Sequence, residues 1–108
     1  MTTLRGNVYG EPGIIHHFSD HEYAKETRIP AGMELLQHVH GHSHLSILAQ
    51  GTVIVTVDGV ESSYTAPACL TIAAGKAHSV KALTSVVWYC IHATDCKDPE
   101  KVDEVLIA

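Results

Sequence analysis

Four of the nine histidines in this 108-residue chain fall at alternate positions of one stretch, His38, His40, His42 and His44, between Gly32 and Gly51. Residues two apart on a strand share a face, so these imidazoles form a row until a turn intervenes. If Gly41-His42-Ser43 is a hairpin turn, His38 and His40 lie on one strand face. His44 then opens the returning strand opposite His40, and His42 sits at the tip, pointing away as a solvated turn residue or acting as an acid or base over the pocket mouth. Three converging imidazoles suit a divalent metal, which binds nitrogen at about 2.0–2.1 Å. His78 follows Gly75 and opens another strand; only a jelly-roll crossover brings it beside the other three.

Further residues could take part in that chemistry. His92 is in alternate register with Cys90 and Trp88 near the end of the last long strand. It reads either as a packed, satisfied ring or as a proton shuttle lining the pocket. Glu34 has the parity of His38, which makes it a candidate general base if it points inward, and a solvated rim residue if it does not. Cys90 reads as a small buried hydrophobe. His16, His17 and His21 precede the histidine row and read as solvent-facing or interface residues. Trp88, Tyr89 and Tyr64 read as core or interface mass.

The elements that must position these side chains are short strands. Turn signals near Gly41-His42-Ser43, Gly51, Asp58-Gly59, Ala66-Pro67, Gly75-Lys76 and Thr84-Ser85 separate the runs SILA, TVIVTV, CLTIA, HSVKAL and SVVWYCI. Asp58-Gly59 between two valines is a two-residue hairpin signal, because a primed turn needs positive φ at both central residues. Evenly spaced short strands imply an all-β sandwich, barrel or jelly roll. Upstream, residues 1–13 read as an irregular arm, Ile14 to Phe18 as a short strand, and the mostly polar Glu22 to Ile29 as an edge strand. Ile29-Pro30-Ala31-Gly32 has the pattern of a type I turn. A short helix is expected at the end, with Asp98 as cap, Pro99 at the first helical position and Val102, Val105 and Leu106 on one face.

The pattern Gly32-x5-His38-x-His40-x3-His44-x6-Gly51 resembles the first motif of the cupins, and Ala73-x-Gly75-x2-His78 resembles a reduced form of the second. The resemblance covers residues 30–93. It implies an all-β double-stranded β-helix, the cupin jelly-roll barrel, over 30–93. Residues 1–29 would then be an N-terminal arm with edge strands and 94–108 a short C-terminal helix, one domain in all. It further implies a metal site of His38, His40, His44 and His78 for one divalent transition metal, Fe, Mn, Ni, Cu or Zn. The sequence departs from the motifs at His44, where Glu is usual, at Ala73 for Pro and at Ala82 for Asn. Four neutral imidazoles leave the full charge on the ion, which draws anionic or enolisable oxygen ligands. The function expected is a dioxygenase-like oxidoreductase acting on a small oxygenated molecule, with His92 or Glu34 accepting a proton. The alternatives are an isomerase, epimerase or lyase using the metal as Lewis acid, and a non-catalytic binding cupin.

Composition bounds the partners. A net charge of −5 and seven scattered Lys and Arg residues argue against a nucleic-acid or membrane partner. No apolar run reaches the length of a membrane span, and the first residues lack the apolar core of a signal peptide. Three cysteines without CxxC spacing fit reduced thiols, so a cytoplasmic location is expected. VVWYCI is apolar on both faces, so a second surface must cover one of them. A homodimer is the expected arrangement.

Overall fold

The computed structural model describes residues 2–5, 13–37, 41–98 and 101. Ten strands build two five-stranded antiparallel sheets: β1 (Thr2–Arg5), β2 (Gly13–Phe18), β3 (Glu22–Ile29), β4 (Glu34–Gln37), β5 (His44–Gln50), β6 (Thr52–Val57), β7 (Val60–Thr65), β8 (Ala68–Ile72), β9 (His78–Ala82) and β10 (Val86–Ala93). The first sheet runs β1-β4-β9-β6-β7 and the second β2-β3-β10-β5-β8. Their inner faces enclose one core of Ile29, Met33, Leu35, Leu48, Val53, Val55, Val80, Ala82, Val86, Trp88 and Cys90. No helix long and apolar enough to cross a membrane occurs among the described residues.

The strands follow from the side-chain alternation. Along β10, Val86, Trp88, Cys90 and His92 are buried, while Val87, Tyr89 and Ile91 are half-buried on the other face. Asp58 and Gly59 adopt φ of 48° and 80°, the two positive values of the expected hairpin between β6 and β7. Gly51 (φ 93°) carries the chain from β5 in the second sheet to β6 in the first.

Several expectations change. Residues 2–5, read as part of an irregular arm, pair with β4. β3 is flanked by β2 and β10, so it is an interior strand and not an edge. Its polar appearance misleads because Tyr23, Lys25, Thr27 and Ile29 all face the interior and are buried. The turn before β4 is shifted by one residue: Met33 N donates to Pro30 O at 3.1 Å. Gly32 then occupies the third position with φ 86°, as a type II turn requires. The expected hairpin around Gly41-His42-Ser43 is instead a passage between sheets, since β4 pairs with β1 and β9 while β5 pairs with β10 and β8. The expected C-terminal helix lies outside the described residues, apart from Asp98 and Lys101.

The outer face of the second sheet holds a buried carboxylate. Glu26 accepts hydrogen bonds from His17 Nε2 at 2.9 Å, Arg28 Nε at 3.0 Å and Tyr89 OH at 3.0 Å. The His17 bond is the largest influence holding its carboxyl below the usual value of 4.5; burial opposes it, and Tyr89 and Arg28 add to it. Tyr89 is pushed up in turn by donating to that carboxylate.

Two substitution pairs check these features. A Cβ at Gly51 would strike Ser85 O, and would lie 2.8 Å from Thr84 Oγ1 and from Val86 Cγ2, whereas one at Gly32 meets nothing within 4 Å. Gly51→Ala is therefore expected to lose about 2–4 kcal/mol and Gly32→Ala only about 1 kcal/mol in urea unfolding. Equal losses would contradict the close approach. A carboxyl whose folded pKa is lowered adds stability above its unfolded value and loses it as pH falls through the folded one. Glu26→Gln should thus lose less stability than the wild type between about pH 6 and about pH 3, read from urea midpoints at both. A wild-type-like acid loss would show that Glu26 is not a source of it.

Candidate functional site

One end of the barrel is lined by aromatic and imidazole side chains from both sheets. β5 begins with His44 and β9 with His78, each 5% exposed. His44 pairs with Ile72 in the second sheet; His78 pairs with Gln37 and Val57 in the first. Their rings face one another across the sheets with centroids 5.9 Å apart. β10 supplies His92, 4% exposed, with its ring 4.5 Å from that of His44 at 31°. Tyr23 of β3 lies on the far side of His92, 6.4 Å between centroids. Tyr23 stacks on Phe18 and packs against Cys96, and its OH is 2.6 Å from His16 Nδ1.

His44 and His78 come together as the jelly-roll crossover requires. His38 and His40 lie outside the described residues. Among the described residues no group of three or more His, Cys, Asp and Glu side chains stands in metal-holding geometry. His92 is an inner-face residue beside His44, and not an outward one. Glu34 stands apart from the cluster: on β4 the buried Leu35 marks the inner face, while Glu34 lies opposite exposed Lys81 on the outer one. Its shared parity with His38 misled because Leu35, one residue along, is what the core claims. His42 is exposed, as a turn residue should be, yet it does not point away: its Nε2 lies 3.3 Å from His92 Nδ1, with the rings edge to face at 5.5 Å.

The remaining histidines separate by strand parity. His16 faces inward and bonds Tyr23, His17 faces outward and bonds Glu26, and exposed His21 pairs with Asp95 at 2.6 Å. Cys90 is buried and receives Ser46 Oγ at 3.7 Å, in keeping with a packed thiol. Cys69, Cys90 and Cys96 are not joined in a disulfide.

Three residues were not singled out from the sequence: Tyr23, Lys25 and Ser46. The signal was there in the parity of Tyr23-x-Lys25-x-Thr27-x-Ile29, whose apolar ends mark an inner face. It was masked by the charged residues that alternate with it.

The donor chemistry suits a borderline transition ion. Two buried imidazoles from opposite sheets adjoin. Imidazole nitrogen serves Fe, Ni, Cu and Zn alike.

No protein-family model and no curated protein sequence matches the chain. Solved structures do match. A cupin superfamily protein from Desulfitobacterium hafniense superposes with a TM-score of 0.70 at 15% identity, over 84% of each chain. An RmlC-like cupin from Shewanella frigidimarina gives 0.68 at 21%, over 90% of this chain and 86% of that one. Salicylate 1,2-dioxygenase from Pseudoaminobacter salicylatoxidans, in adducts with gentisate, gives 0.69 at 14%, over 81% of this chain and 26% of the enzyme. At these identities the likeness is one of fold, and the chain has the fold of a small cupin domain.

Proposed function

We propose that the protein is a metal-binding cupin that works as a dioxygenase-like oxidoreductase on a small oxygenated molecule. The observation that carries this reading is the meeting of His44 and His78, both buried, from opposite sheets with rings 5.9 Å apart. With His38 and His40 they would hold one divalent ion among Fe, Mn, Ni, Cu and Zn. Such an ion supplies Lewis acidity toward a substrate oxygen and, except for Zn, a redox couple. The fold likeness to salicylate 1,2-dioxygenase supports the reaction class only through shared architecture.

The chain's own residues would bind and move protons. The Tyr23, His92 and His44 rings form an aromatic wall against which a flat or short oxygenated molecule can lie. His92 takes the role of proton acceptor, and exposed His42, bonded to its Nδ1, connects it with solvent. Glu34, on the outer face, has no part in this. Burial of the His44, His78 and His92 rings keeps bulk water from the reacting atoms.

Elemental analysis of protein made without an affinity tag tests the ligand set. His44→Ala and His78→Ala should each weaken metal binding on the order of 100-fold or more, while His44→Glu and His42→Ala keep it. Metal retained by both alanine variants at the ligand positions would end this reading. Oxygen-uptake screening with the native metal then tests the reaction. Activity that survives strict anaerobiosis and replacement by Zn²⁺ would identify a Lewis-acid isomerase or lyase instead.

We also propose that the protein pairs as a homodimer through the outer face of the second sheet. Ile15 and Leu45 are 43% and 46% exposed there, beside the half-buried Ile47, Val87 and Ile91. Light scattering at micromolar concentration should return twice the chain mass; a monomer mass refutes the pairing.

A further inference from the structure

Next to the histidine end, the inner face of the second sheet carries a polar layer with one charge in it. The ladder register defines the layer: His16, Lys25, Cys90, Ser46 and Leu70 stand side by side across β2, β3, β10, β5 and β8. Lys25 is 5% exposed, Cys90 3% and Ser46 0%. One layer toward the histidines lie Tyr23 and His92, which are paired in register. One layer the other way lie Thr27, Trp88 and Leu48.

Chemically this layer and the Trp88 layer beside it carry donors that have no acceptor capacity. Lys25 has three N–H donors and no acceptor, and Trp88 has one donor and no acceptor. Trp88 Nε1 is buried with no hydrogen-bond partner. Among the described residues, every Asp and Glu lies on an outer face, in a turn or in a connecting segment, whereas Lys25 faces the inner surface. An ammonium offers three donors, so one that bonds a neighbour still has hydrogens for a ligand oxygen. Successive inward-facing layers are about 7 Å apart along a strand, within reach of a lysine side chain and one hydrogen bond.

We propose that Lys25 is a specificity-determining residue that binds the carboxylate of a small oxygenated carboxylic acid, whose oxygenated carbon faces His44 and His78. The ligand class is thereby anionic, with charge-assisted bonding at one end. The proposal rests on the histidine end being the substrate site, and it adds the substrate class to that reading.

The chain's single tryptophan, Trp88, lies one layer from Lys25, so its fluorescence reports binding directly. The protein, as purified and again after chelation, is titrated with pyruvate against pyruvamide and with lactate against lactamide. Each pair differs in the carboxylate alone. The acids should bind about 10- to 100-fold more tightly than their amides. Lys25→Met should abolish that preference with unchanged metal content, and Lys25→Arg should keep it. Equal binding of acid and amide by the wild type, no response to either acid, or an undiminished preference in Lys25→Met would each overturn the proposal. Should Lys25→Met not fold, the wild-type comparison and Lys25→Arg decide it: loss of the preference in a folded Lys25→Arg that keeps its metal counts against Lys25. An acid preference that persists after chelation, in a protein that as purified holds no metal, sinks the metal reading and leaves Lys25 standing.

Discussion

β10 hydrogen-bonds to β3 on one side and to β5 on the other, and the parity of that double ladder decides which surface each side chain sees. A pleated strand sends alternate side chains to opposite faces, so a slip of one residue would exchange the two sets completely. Val86, Trp88, Cys90 and His92 all face inward because the first three fill the core. His92 is therefore held beside His44 by apolar packing further along its own strand. The same parity on β3 puts Tyr23, Lys25, Thr27 and Ile29 inside.

That constraint explains two neighbouring residues of opposite charge. Lys25 and Glu26 are adjacent in sequence and both largely buried, but they lie on opposite faces of the second sheet. Glu26 is stabilised as an anion by three donors from β2, β3 and β10, which offsets the cost of taking it out of water. Lys25 is set among a histidine, a thiol and a hydroxyl of the inner layer. The outer face thus meets its charge with counter-charge, while Lys25 lies on the inner face one layer from Tyr23 and His92.

Function at the histidine end depends on closure between sheets more than on any single strand. His44 and His78 are thirty-four positions apart in the chain and belong to different sheets. They meet because β4 and β9 pair in one sheet while β5 and β8 pair in the other, and the two inner faces close over a shared core. His42, in the passage between β4 and β5, ends up against His92 of β10 for the same reason.

The all-β class, the hairpin at Asp58-Gly59 and most strands from Gln50 onward are legible in the sequence, because these depend on local alternation and on residues that tolerate positive φ. Motif spacing also singled out His44 and His78. Tertiary structure alone decided that β3 is interior, that the chain passes between sheets after β4 where a hairpin was expected, and that Glu34 lies outside. Those outcomes depend on which strands pair, and pairing is a property of distant segments: a mostly polar strand such as Glu22–Ile29 looks like an edge until β2 is hydrogen-bonded along its far side. The placement of Lys25 followed the same rule. A lysine by itself favours solvent, and the burial of Tyr23 and Ile29 on the same face turns it inward.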